Sequence, residues 1–227
     1  LALSLAVMAG GPAVAQDLPD LGATPSAKAS PFAWAKSGDK AEHEAEARTA
    51  GAASGGKVIG GKMADNGAWP WQVALIIAGE PVSPDAQFCG GSLLLDTWVL
   101  TAAHCVHMAD DAGNWGDLQP QFFQVFVGSN VLAPGQGDLI PVAQVYRHPD
   151  YVGWLYDHDI ALLRLSRAPR VPYETIKVPD AEFGDYLDQP GVTTIVTGWG
   201  LTEGGEHPEA LHQTEIQMMD RELCNAT

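Results

Sequence analysis

The sequence predicts an all-β fold, a sandwich or a barrel, and two observations carry that prediction. From Val58 onward, short runs rich in Val, Ile, Leu, Phe and Trp recur between clusters of Gly, Pro, Asp and Asn, the pattern of strands separated by turns. Over the same stretch no long period of 3.6 residues develops, which disfavours α/β architectures. The 227 residues are 46% hydrophobic and 18% charged, too apolar for a disordered chain and sufficient for a sizeable packed core.

Taken in order, the expected strands are WQVALII at 71–77, FCGGSLLL at 88–95, WVLTA at 98–102, FFQVFVG at 122–128, IPVAQVYRH at 140–148, DIALLRL at 159–165 and VTTIVTGWG at 192–200. His148-Pro149-Asp150 reads as a turn after a strand, because proline fixes its own φ and biases the residue before it. Neither a fixed-period repeat nor a phosphate-cradling glycine loop is visible.

The region before Val58 has a different character. LALSLAVMAGGPAVAQ joins an apolar stretch to Ala13-Val14-Ala15, the A-x-A form that a signal peptidase reads. Residues 1–15 are therefore expected to be a signal peptide, cleaved after Ala15. A membrane span is the competing reading, but Gly10-Gly11-Pro12 interrupts the run well short of the roughly 20 apolar residues a span needs. With no initiator Met and no basic residue before the apolar part, the sequence is expected to start inside its signal peptide. Residues 16–57, rich in Ala, Gly, Pro, Ser and mixed charge, read as a pro-segment. Export implies a secreted protein, extracellular or periplasmic, free of the membrane once the signal is removed.

Net charge is −16, and from Val58 onward there are 7 Lys and Arg against 22 Asp and Glu. Nucleic acid is excluded as a partner, since it needs a basic face. The acidity reads as solubility, with recruitment of basic substrates as the alternative.

Three cysteines, Cys89, Cys105 and Cys224, are an odd number for an oxidising compartment. Cys89 and Cys105 lie on two neighbouring expected strands, so their bridge is the shorter closure. Pairing with Cys224 stays open on spacing alone. His104 adjoins Cys105, and such a bridge would fix its place. Asp159 opens the apolar run DIALLRL, where a buried carboxylate is costly without a partner. An imidazole N–H is one suitable partner, and a histidine oriented by a carboxylate is what a hydroxyl nucleophile needs as a base. Spacing does not show that residues 104 and 159 meet. Asp157-His158-Asp159 and the pair His207 and His212 have metal-ligand residue types but no zinc-site spacing, and read as loop or surface residues. Calcium on an acidic loop has no ligand pattern behind it. No metal or cofactor is expected.

TAAHC at 101–105, DIALL at 159–163, TGWG at 197–200 and KVIGG at 57–61 resemble, in order and approximate spacing, the chymotrypsin-like or trypsin-like (S1) serine endopeptidases. The resemblance runs from about residue 57 to Thr227. It implies a double β-barrel, the first barrel complete over about 58–170 and the second truncated over about 171–227. His104 would be the general base and acid, with Asp159 holding its tautomer, in a triad scheme that is itself drawn from this family. Lys57-Val58 would be the zymogen activation cleavage. Protein or peptide substrates, an activating protease that accepts lysine, and a monomeric full-length enzyme follow from the same resemblance.

One departure stands out. The family's serine lies in GDSGG after the GWG turn, and this chain has no such motif and no serine after Ser166. Ser92 sits at a position the family uses within a strand and lacks the glycine turn that would expose a hydroxyl. The nucleophile, and a partner for Cys224, are expected beyond residue 227, and these residues alone are expected to be inert for want of an oxyanion hole. A non-catalytic binding or regulatory relative is the alternative, against which the presence of both His104 and Asp159 weighs.

Overall fold

The structure, a computed structural model, describes residues 61–109, 114–153, 155–202, 205, 207–220 and 222–223. The expected signal peptide and pro-segment, Lys57 and Val58 of the expected activation cleavage, and Cys224 lie outside the described residues.

Six antiparallel strands close a barrel in the order β2, β3, β4, β9, β8, β7. They are β2 (Gln72–Ile77), β3 (Gln87–Leu95), β4 (Trp98–Thr101), β7 (Phe123–Val127), β8 (Asp138–Arg147) and β9 (Ala161–Leu165). Each coincides with an apolar run of the sequence. Val73, Leu75 and Ile77 of β2, Val125 and Val127 of β7, and Leu163 and Leu165 of β9 fill the interior with Leu93, Val99 and Ile140, the period-2 alternation of a strand with one face inward.

The alternate residues of β2 are buried too. Ala74 and Ile76 join Phe126 of β7 in a second core with Ala64, Leu132, Trp199 and Leu211. WQVALII is apolar throughout because both of its faces are covered. Of that second core, Ala64, Trp199 and Leu211 directly flank the strands of a three-stranded sheet, β1 (Lys62–Met63), β11 (His212–Gln217) and β10 (Thr193–Gly198), in the order β1, β11, β10. Trp199 buries its indole there and donates Nε1–H to Asn130 O (3.0 Å), so its one polar atom is satisfied. Thr197 Oγ1 donates to Gln72 Oε1 (2.5 Å) and Trp69 Nε1 to Gln213 Oε1 (2.9 Å), tying sheet to barrel.

Some elements lack a sequence signal of their own. A ribbon of β5 (His107–Ala109) and β6 (Trp115–Asp117) leaves the barrel after β4. Strand β11 is polar, HQTEIQ, yet pairs with β10 over six residues. The seven-residue helix α1 (Ala181–Leu187) starts at Asp180, whose Oδ1 accepts from Phe183 N–H (2.9 Å).

Two local constraints keep the barrel tight. Gly91 faces β4 so closely that a Cβ would lie 2.6 Å from Leu100 O, so only glycine fits. At the barrel's edge Asp138, 13% exposed, receives both Nη1 (2.6 Å) and Nη2 (2.8 Å) of Arg167 and the N–H of Arg170 (2.8 Å). The Arg167 hydrogen bonds, reinforced by that backbone N–H and outweighing burial, hold the Asp138 carboxyl below its ordinary value. A depressed folded-state pKa gives stability that is present above the unfolded value and is lost as pH falls through the folded one. Asp138→Asn is expected to lower stability by about 1–2 kcal/mol near neutral pH. Denaturant unfolding at a series of pH values should show that difference shrinking below about pH 4.

Candidate active site

His104 occupies a 3₁₀ turn, Ala103–Cys105, immediately after β4. The local sequence explains the turn. Thr101 closes the strand with its hydroxyl buried, donating to Gly90 O (2.8 Å). Ala102 is extended, and Val106 N–H then reaches back to Ala103 O (3.0 Å). Ala103 and Cys105 point into the core while the His104 side chain is 46% exposed. Cys105 is bonded to Cys89 of β3, with Cα atoms 6.0 Å apart, and anchors the turn from beneath.

Asp159 lies two residues before β9, and its carboxylate grips His104 twice. Oδ1 accepts from the His104 backbone N–H (2.8 Å) and Oδ2 lies 2.7 Å from Nδ1. The carboxylate is acceptor-only when ionised, so Nδ1 carries the proton and Nε2 the lone pair. Nε2 is 3.6 Å from Cys105 Sγ. The Asp159 side chain is 21% exposed rather than fully buried, and its hydrogen bonds to His104 satisfy the need for a partner. Such an arrangement can take a proton at Nε2 and stabilise the resulting imidazolium.

Aromatic rings surround this pair. Tyr156 sets its edge against the His104 ring, centroids 5.9 Å apart. Tyr151 is buried, and its phenol is pushed up to about 12, first by burial and then by the negative charge of Asp159.

A second histidine–carboxylate pair, which sequence reasoning did not find, stands on the β5–β6 ribbon. His107 Nδ1 lies 2.8 Å from Asp117 Oδ1, and Arg147 Nε donates to the same oxygen (2.7 Å). Burial works to raise the Asp117 carboxyl, but the hydrogen bonds from Arg147 and His107 together hold it below the usual range. Trp115 stacks on His107 and Tyr151 meets it edge-on. The one available signal was the register His107 opposite Asp117, which no sequence period reveals in three-residue strands.

The remaining candidates are dispersed. Ser92 sits in mid-strand opposite Gln72 and Leu100. His212 has Nδ1 against Ala210 O (2.8 Å). His158 stands beside Asp157, 3.3 Å away, and stacks on His148. Cys89, His104 and Cys105 bring three potentially metal-ligating atoms within 4.8 Å of one another, but both sulfurs are consumed in the disulfide, which leaves no thiolate to bind a metal.

The family model described as Trypsin matches residues 58–227. A protein named Trypsin from Simulium vittatum is 34% identical over 170 residues, covering 74% of this chain and 64% of its own length. Transmembrane protease serine 9 of Rattus norvegicus is 32% identical over 169 residues, 74% of this chain and 14% of its own. The Suppressor of tumorigenicity 14 protein homolog of Bos taurus is 34% identical over 174 residues, with 74% and 19% covered. The chain thus spans less than two thirds of the length of each of these curated relatives.

The disulfide closes a loop of 16 residues. Cys89→Ala with Cys105→Ala is expected to cost about 3 kcal/mol of stability, read as a lowered midpoint in urea unfolding with the slope little changed.

Proposed function

The chain belongs to the trypsin family, and on that premise we propose that it is the leader, the first barrel and the beginning of the second barrel of a secreted, zymogen-type serine endopeptidase. The observation that carries the proposal is the double grip of Asp159 on His104. In this reading Nε2 of His104 takes the proton of a serine hydroxyl as its oxygen attacks the scissile carbonyl. It then returns that proton to the leaving amine as the peptide C–N bond breaks and an acyl-serine forms. Water repeats the sequence on the acyl-serine and frees the acid. Asp159 keeps the proton on Nδ1 throughout, so Nε2 is always the nitrogen that takes and returns the proton.

The serine and the donors of the oxyanion hole belong, in this proposal, to sequence following Thr227. The open sheet of β1, β10 and β11 is the beginning of the second barrel, with the first reaching to about residue 170. Activation would occur by cleavage after Lys57, in the glycine-rich Gly55-Gly56 stretch, freeing an ammonium at Val58. The cleaving protease accepts lysine. Proteins or peptides are the substrates and the complete enzyme works as a monomer. No helix among the described residues is long and apolar enough to cross a membrane, and the Ala13-Val14-Ala15 signal supports export.

The test begins with the reading frame past Thr227, where GDSGG is expected some tens of residues on. A natural stop codon directly after Thr227, or another residue at the serine position, overturns the proposal. In the complete protein, His104→Ala should lower kcat by on the order of 10⁶ and Asp159→Asn by on the order of 10⁴. The 227 residues alone should neither hydrolyse peptides nor react with a fluorophosphonate probe for activated serines. Peptide hydrolysis undiminished in His104→Ala would remove its assigned role.

A further inference from the structure

The loop that carries Asp159 is closed at its neck by two histidines that no step of the proposed chemistry uses. Residues 148–160 connect β8 to β9. His148 N–H donates to Ile160 O (3.0 Å) across the neck, and Val152 N–H to Asp157 O (3.0 Å) within the loop. The imidazoles of His148 and His158 lie face to face there, centroids 4.7 Å apart and planes 17° from parallel. His158 has φ 57° and Tyr156 φ 52°, left-handed backbone that a side chain adopts only when its surroundings hold it. Asp159 follows His158 directly, inside a three-residue turn closed by Ile160 N–H on His158 O (2.7 Å). Asp159 is thus carried on backbone that these main-chain hydrogen bonds close, beside the ring stack.

The stack discriminates between protonation states. Asp150 N–H donates to His148 Nδ1 (3.2 Å), which demands a lone pair there and puts the ring's proton on Nε2. His158 Nδ1 lies 3.3 Å from Asp157 Oδ1, so a charged His158 ring has a carboxylate to balance it. A proton at His148 Nδ1 would confront the Asp150 N–H, and with His158 also charged would set two positive rings 4.7 Å apart. From β8, Arg147 adds its own charge, with Nη1 donating to His148 O (3.2 Å). From the loop and the approach to β9, the facing groups are Asp150, Asp157, Asp159, Tyr151 and Tyr156.

We propose that the neck of this loop, His148 N–H on Ile160 O, is a latch that positions Asp159, and that positive charge on both stacked rings would open it. The functional meaning of the latch rests on the reading of His104 and Asp159 as base and orienter. Its structural content does not, and the experiment separates the two.

Amide hydrogen exchange of His148 and Ile160, corrected for intrinsic rates, is measured in the ¹⁵N-labelled protein at about pH 7.5 and about pH 5, on either side of imidazole titration. Protection in the parent is expected to fall roughly tenfold at the lower pH. His148→Asn keeps an acceptor for Asp150 N–H but takes up no proton, and should give the same protection at both pH values. His158→Asn, which tolerates left-handed backbone, should do likewise. The His104 Nδ1–H resonance should broaden with latch opening in the parent and persist in both variants. Parent protection that does not change with pH, or that is lost equally in the asparagine variants, overturns the latch. In the complete enzyme, opening should steepen the fall of kcat on the acid side beyond that due to a single base, and His148→Asn should remove the extra steepness. Absence of peptidase activity would refute the endopeptidase reading and leave the exchange result to decide the latch.

Discussion

Four residue pairs between β4 and β9, ending with Thr101 opposite Ala161, determine where every other part of the site lies. Antiparallel pairing brings the exit of one strand beside the entry of the other. His104 follows Thr101 by three residues and Asp159 precedes Ala161 by two. Two side chains 55 positions apart in sequence thereby meet without any contact of their own being needed to bring them together. Their hydrogen bonds refine a position that the barrel has already imposed. The Cys89–Cys105 bridge acts in the same sense, fastening the turn after β4 to β3, the neighbour on its other side.

Much of the fold was legible because the barrel strands are apolar on a period of two, or continuously so where both faces are covered. WQVALII, FFQVFVG and DIALLRL announce themselves in this way. The elements that stayed illegible are those whose existence depends on a partner. HQTEIQ forms a strand because β10 offers it a ladder, and His107–Ala109 and Trp115–Asp117 pair across a ribbon too short to show periodicity. The site divides likewise. His104 and Asp159 were singled out as residues, yet their meeting rests on register. The Asp117 junction of His107 and Arg147, and the stacked pair His148 and His158, arise from three-dimensional neighbours that carry no common motif.

Charge is handled locally in a strongly acidic chain. Asp138 is matched by Arg167, and Asp117 by Arg147 with His107. These junctions sit at strand ends, where a carboxylate can accept from side chains and main chain together. They hold neighbouring strands in place near the segments that leave the barrel. The loop bearing Asp159 is flanked by such features, with Arg147 at its start and the His104 contact at its end, so its backbone strain is contained between fixed points.

Strand β2 has a consequence that reaches past the site. Its odd-numbered residues line the barrel, and Ala74 and Ile76 pack in the second core with Trp199 and Leu211, which flank strands of the sheet, so the strand belongs to both cores at once. Melting the sheet exposes one side of β2, and melting the barrel removes the floor on which the sheet rests. The two modules are thus coupled into a common cooperative unit, and the two cores cannot drift apart in sequence independently. A volume change at Ile76 is felt by Trp199 on one side and, through a displaced backbone, by Leu75 and Ile77 on the other.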